Sequence, residues 1–229
     1  MKNLPAEHNA GIFLSTALAF VGGYTDAATY VTSEVFAGHL SGNLVLAAIS
    51  LLARDWKSSA IRCAALLSMV VAIAASTLLD AEAVRNSRIP RLSIALLLET
   101  ILFLVPGTLA FERHPLPTIV ATVMLCLAMG LQTGVLRRSN GVSIYTAFIA
   151  GIMTRVVETE TEKLEGRPKS SSAQRTTLGS LLVAFIIGAA AGAAMALYAR
   201  RWSVGAAGLV LLALAAVHYF LVHHGSQAR

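Results

Sequence analysis

The chain has 229 residues, of which 56% are hydrophobic and only 13% charged, with a mean hydropathy of +0.69. Soluble domains carry about 25% charged residues, so the composition excludes an ordinary soluble fold and predicts an all-α, polytopic membrane protein, a helical bundle whose first partner is the lipid bilayer. The net charge of +6 lies mostly in short loops, as membrane topology requires, and is no sign of nucleic-acid binding.

The N-terminal stretch begins like a signal peptide, but Glu7 offsets Lys2 and no clean small-x-small cleavage site follows, so we expect it to stay as the first spanning helix. Segment 1 covers about residues 10–30. Segment 2, residues 35–53, is apolar yet interrupted by Gly38 and Gly42, and ends at Arg54, Asp55, Trp56 and Lys57. Segment 3 is expected at about 60–79 and segment 4 at 92–111, with Glu99 and Pro106 inside it. Segment 5 covers 116–136. A turn from Arg137 to Gly141 leads into segment 6, residues 142–157, which at about 24 Å is short of a bilayer core of about 30 Å. The polar stretch 158–175 opens with a Glu-rich part able to prolong a helix and closes on a Ser-rich tract expected to be mobile. Segments 7 and 8 follow at 177–198 and 203–222, between tails at 1–9 and 223–229.

Eight apolar segments therefore divide four and four, into halves of about 10–111 and 116–222, with the broken or short segments second in each half. If all eight cross, the halves are parallel. If segments 2 and 6 enter and leave on one face, six helices cross and the halves are inverted. With both termini cytoplasmic, the distribution of Lys and Arg favours six spans over eight by a single residue.

Lipid offers no partner to a free polar group, so polar residues inside such segments must be buried in protein or line a cavity. Asp26 lies about 24 Å into segment 1 by helical rise. It is either a cation or proton site or a carboxylate that caps free amides near residues 41–44. Ser41, Gly42 and Asn43 can start a half-helix whose amides favour an anionic or dipolar ligand. Gln132, Thr133 and Tyr145 are the second-half counterparts. Glu99 and His39 are the candidates for proton coupling, against a plain hydrogen-bonded acid and a plain hydrogen-bonded imidazole. Gly38 with Gly42, and Gly188 with Gly192, have the small-xxx-small spacing of close helix packing, within the fold or at a homodimer contact.

Cys63 and Cys126 lie in apolar runs without ligand spacing, and His218, His223 and His224 make no convincing metal site. No nucleotide-binding, hydrolase or metalloprotease motif occurs. Ser41 and His39 face apart on a helix. No enzyme activity, cofactor or metal is expected.

The blocks Gly22-Gly23-Tyr24-Thr25-Asp26, Val35 to Asn43, Met129 to Thr133 and Ala150 to Arg155 resemble the YoaK-like family of bacterial membrane proteins, also called domain of unknown function 1275, over about residues 11–222. Ser41 stands where the family has Thr, Thr133 where it has Asn, and Ala150 where it has Thr, so the second motif loses a hydroxyl. The resemblance implies six spans in a bacterial inner membrane and supplies no mechanism. The broken segments predict a small secondary transporter or channel for a small polar or anionic solute or an ion. The alternative is a non-transporting scaffold or regulator acting through residues 158–175.

Overall fold

A computed structural model describes residues 4–78, 91–109, 115–136, 149–165, 171–199 and 203–227; all of its regular structure is helical. The helices are α1 (Leu4–Ser33), α2 (Leu40–Leu52), α3 (Trp56–Leu78), α4 (Arg91–Leu109), α5 (Pro115–Leu136), α6 (Ile149–Leu164), α7 (Ser172–Tyr198) and α8 (Ser203–Gln227). Local chemistry fits these bounds. Asp55 accepts the Ser58 N–H ahead of α3, and Ser171 accepts the Gln174 N–H ahead of α7, each supplying an acceptor to a helix start that lacks one. Pro115 opens α5, where its missing N–H costs nothing. Within α1 the hydroxyls of Thr25, Thr29 and Ser33 bond back to carbonyls one turn earlier, which lets polar residues lie inside a long helix.

Two helical stretches, Trp56–Thr77 and Gln174–Tyr198, are long and apolar enough to cross a membrane, and shorter apolar stretches lie in α2, α4, α5 and α8. Beside an apolar core, many large apolar side chains are exposed and several charged or amide side chains are buried. Leu44, Leu52, Leu67, Ile186, Leu197 and Leu209 are exposed, whereas Asp26, Asn43, Arg62, Glu99 and Gln132 are buried.

Helix α1 packs chiefly on α7, α3 on α5, and α4 on α8 and α5. Glycines set the first two contacts. A side chain at Gly188 or Gly192 would run into the carbonyls of Phe20 or Tyr24, so the register advances the same way along both helices and α1 is parallel to α7. A side chain at Gly130 would meet Met69 and Ala72, and one at Gly134 would meet Ser76, so α3 and α5 are parallel too. Helices α1 and α5 are antiparallel. Met129 touches Gly38 at the level of Asp26, whereas Gln132, further along α5, bonds Leu18, earlier in α1. Helix α2 returns antiparallel to α3, with Ser59 donating to the Ala47 carbonyl and Arg62 to that of Leu46.

Several expectations change. Segment 2 breaks once, over residues 34–39; Gly42 is helical, with Phe36 ring carbon 3.0 Å from where a Cβ would stand. Gly38 therefore belongs to no helix and forms no helix-packing pair with Gly42. Neither Ser41 nor Asn43 caps α2, which starts at Leu40 behind His39 with no side-chain capping bond. Helix α6 runs to Leu164, so the Glu-rich start of the polar stretch does prolong a helix as expected; Ile152 and Thr159 lie a heptad apart on one buried face while Arg155, Glu158 and Glu160 stay in the open. It is an amphipathic helix rather than an apolar segment. Both expected tails are largely helical, since α1 begins at Leu4 and α8 reaches Gln227. The turn 137–141, the start of segment 6 and Tyr145 lie outside the described residues, as do the side chains of His218, His223 and His224.

Candidate functional site

Glu34 follows α1 with a φ of 56°, a left-handed conformation uncommon for a non-glycine residue, and reverses the chain. Residues 34–39 then run back along α1 toward its middle. Asp26 lies about 10 Å before the end of that helix by its rise per residue, and meets the returning strand of chain there. Its Oδ1 accepts the Gly38 N–H at 2.6 Å, and its Oδ2 is 2.5 Å from His39 Nδ1. Hydrogen bonds to an ionised group are the stronger kind, and an unmatched buried carboxylate is costly, so this pairing both holds the returning segment and satisfies the acid.

Asn43, from the first turns of α2, completes the hold. Its Oδ1 accepts the Phe36 N–H at 3.0 Å and its Nδ2 donates to the Phe36 carbonyl at 2.6 Å, so one side chain satisfies both main-chain groups of a residue outside any helix. The Phe36 ring stacks on Tyr30 at 4.5 Å, and the His39 ring lies edge-on to Phe185 of α7 at 6.0 Å. A Cβ at Gly38 would stand 3.3 Å from Met129 Cε and 3.4 Å from both Asp26 oxygens, tighter than ordinary contact. His39 keeps 28% of its side chain exposed, against 5% for Asp26.

Arg62 is the residue that reasoning from sequence missed, having been counted only as a topological charge. It is buried, donates to the carbonyls of Glu34 and Leu46 and to the hydroxyl of Ser50, and lies 3.6 Å from the Glu34 carboxylate. One guanidinium thus ties the end of α1 to α2, a task suited to its several fixed donors. The signal available in the sequence is an Arg two residues past Ala60, where the apolar run of segment 3 begins.

The structure brings Asp26, Gly38, His39 and Asn43 together and separates the rest. Ser41 is exposed. Gln132 donates to the Leu18 carbonyl at 3.1 Å and Thr133 to that of Met129 at 2.8 Å, beyond Met129 from the Asp26 cluster. Gly188 and Gly192 lie in the α1–α7 contact. Glu99 is buried on α4, one turn from Phe103, and its Oε1 has no hydrogen-bond partner among the described residues. Phe103 packs with Tyr24, Thr25, Thr29, Leu125 and Ser203 where α1, α4, α5 and α8 meet, with no space for a water molecule between them. Tyr24 ties α1 to α8 there, donating to the Ser203 carbonyl at 2.6 Å. No group of three or more His, Cys, Asp or Glu that could hold a metal occurs among the described residues, and Asp26 and His39 are already engaged with each other.

These features define, over the described residues, an all-helical protein with many exposed apolar side chains, several polar groups buried within a largely apolar core, and a helix-breaking segment pinned two turns before the end of its first helix. The chain belongs to the family described as protein of unknown function (DUF1275), whose model matches residues 14–217. No curated protein and no solved structure matches it.

Proposed function

We propose that this is an integral protein of the bacterial inner membrane, with six crossing helices in two inverted four-segment halves, that moves a small polar or anionic solute or an ion. The observation that carries the proposal is the antiparallel course of α1 and α5, the first helices of the two halves, fixed by Gln132 on Leu18 and Met129 on Gly38. The packing of the halves is reciprocal: the first helix of each lies parallel to the third helix of the other, and the fourth helices pair. Inverted repeats with discontinuous helices at their centre are a recurring transporter architecture. Exposed apolar side chains, with charged and amide side chains buried beneath them, support the membrane setting.

In this account residues 34–39 with α2 form a re-entrant segment. Asp26, Asn43 and Arg62 hold it in place, and Gln132 and Thr133 join the halves. The close packing around Phe103 corresponds, in this account, to a closed state. The engagement of both Asp26 oxygens also favours a second possibility, a non-transporting scaffold in which these residues only support the fold.

Purified protein in liposomes, screened on a solid-supported membrane against small anions, polar solutes and alkali cations, separates the two. Transport predicts flux above protein-free liposomes that falls at least tenfold in Asp26→Asn at equal incorporation. A scaffold predicts no flux from any member, with Asp26→Asn affecting only yield.

A further inference from the structure

Two acids lie inside the helical body, and their surroundings are opposite. Asp26 has both oxygens engaged, by Gly38 and His39. Glu99 is only 2% exposed, and its Oε1 lacks a partner among the described residues. The described ion pairs are Asp26 with His39 and Glu34 with Arg62, so Glu99 has no cation among those residues. The helices that pack on α4 supply none nearby. Residues 203–217 of α8 contain no titratable group and residues 119–134 of α5 contain only Cys126; α1, which meets α4 only around Phe103, contains Tyr24, Asp26 and Tyr30 over residues 12–33, and the Arg of α4 itself, Arg91, is two turns before Glu99. A carboxylate in such a place has neither counter-charge nor full hydrogen bonding, whereas a neutral carboxylic acid is tolerated there.

Phe103 follows Glu99 by one turn on the same face of α4 and packs at the junction of α1, α4, α5 and α8, which leaves no room for a water molecule. The hydroxyl protons at that junction are committed elsewhere: Thr25 and Thr29 donate to carbonyls of their own helix and Tyr24 donates to the Ser203 carbonyl. Those protons are therefore not offered to Glu99, and its own proton is the one that keeps it neutral.

We propose that Glu99 is a proton-binding site, and that its carboxyl, not that of Asp26, carries the proton coupled to transport. Asp26 is then a positioning residue for the re-entrant segment. The coupling part rests on the transport function proposed above; the proton site does not.

The test is dicyclohexylcarbodiimide, an apolar reagent that adds across the O–H of a protonated carboxylic acid. The acid oxygen bonds to the carbodiimide carbon, the proton passes to its nitrogen, and rearrangement leaves a stable N-acylurea. Protein in liposomes is treated between pH 6 and 9, and the adduct is located by peptide mass mapping. In parallel, pyranine-loaded liposomes report proton entry under a potassium–valinomycin potential. Glu99 is expected to be labelled, less so as pH rises, with Asp26 unmodified. Glu99→Gln should remove the label and reduce proton entry at least tenfold, and Glu99→Asp should retain part of both. Glu99→Gln keeps the shape of the neutral acid, so folding is expected to be preserved. Absence of label on Glu99, or an equal label on Asp26, overturns the proton site. A labelled Glu99 with undiminished proton entry in Glu99→Gln overturns the coupling role. Label on Glu99 with no flux of any kind leaves the proton site standing and removes transport. Solute flux with Glu99 unlabelled does the reverse.

Discussion

Gln132 of α5 donates its side-chain N–H to the carbonyl of Leu18 in α1 at 3.1 Å, while Met129 of the same helix lies against Gly38, which is bonded to Asp26 further along α1. Moving forward along α5 therefore moves backward along α1. That relationship orients the two parts of the chain against each other and fixes the level to which the segment after α1 returns. Asp26 is at the centre of this arrangement, because it is the acceptor that draws Gly38 back to a level two turns before the end of α1.

The Asp26–His39 pair should behave as a unit. Asp26→Ala leaves the buried Gly38 N–H unsatisfied and is expected to cost about 1–3 kcal/mol, whereas Asp26→Asn keeps an oxygen for that N–H and should cost less. Asp26→Ala and His39→Ala together should be non-additive, with a coupling of roughly 0.5–3 kcal/mol. Thermal midpoints in detergent for the two single variants and the double variant measure it. Simple additivity would show that the 2.5 Å contact contributes nothing.

Glycines on a single helix should respond in opposite directions. Gly192 faces the Tyr24 carbonyl with no room for a Cβ, so Gly192→Val should destabilise by about 1–3 kcal/mol or more through overpacking. Gly179, on the same helix, has nothing within 4 Å of its Cβ position. Gly179→Ala should stabilise, by up to about 1 kcal/mol from helix propensity. Equal responses at the two sites would contradict the α1–α7 contact.

Asp55 predicts an acid sensitivity at the start of α3. Hydrogen bonds from the Ser58 hydroxyl and then its main-chain N–H hold its carboxyl below the ordinary value of 3.8. Its folded value is lower than its unfolded one, so its stabilisation is fully present above the ordinary value and is lost as pH falls through the folded value. The effect of Asp55→Asn on the thermal midpoint should therefore be larger at pH 7 than at pH 3. A difference independent of pH would mean that the carboxylate charge plays no part.

Much of the architecture was legible in the sequence because it depends on composition along the chain. Long apolar runs bounded by charged turns gave the helices and their order, and the spacing of Gly188 and Gly192 marked a close packing face. What was not legible depends on where the chain returns. Nothing near Glu34 announces a reversal, since a non-glycine residue occupies the left-handed position. The amides bound by Asp26 were therefore expected at 41–44, beyond Gly38. Arg62 was invisible as a clamp because its partners, carbonyls at the end of α1 and in α2, come from main chain far from it in sequence. In α6 the helical continuation through the Glu-rich stretch was legible, whereas its amphipathic face, with Ile152 and Thr159 buried, was not, because the run from 142 to 157 was read as an apolar segment.

The most direct test of the inverted arrangement is the side on which two exposed positions lie, Lys57 between α2 and α3 and Ser171 ahead of α7. Each is replaced by a single cysteine in protein whose Cys63 and Cys126 are serine, and is labelled in intact cells with a membrane-impermeant maleimide, before and after permeabilisation. With α2 re-entrant and six helices crossing, Lys57→Cys labels from outside and Ser171→Cys only after permeabilisation. If both positions label from the same side, α2 crosses, the halves are parallel, and the inverted account is wrong.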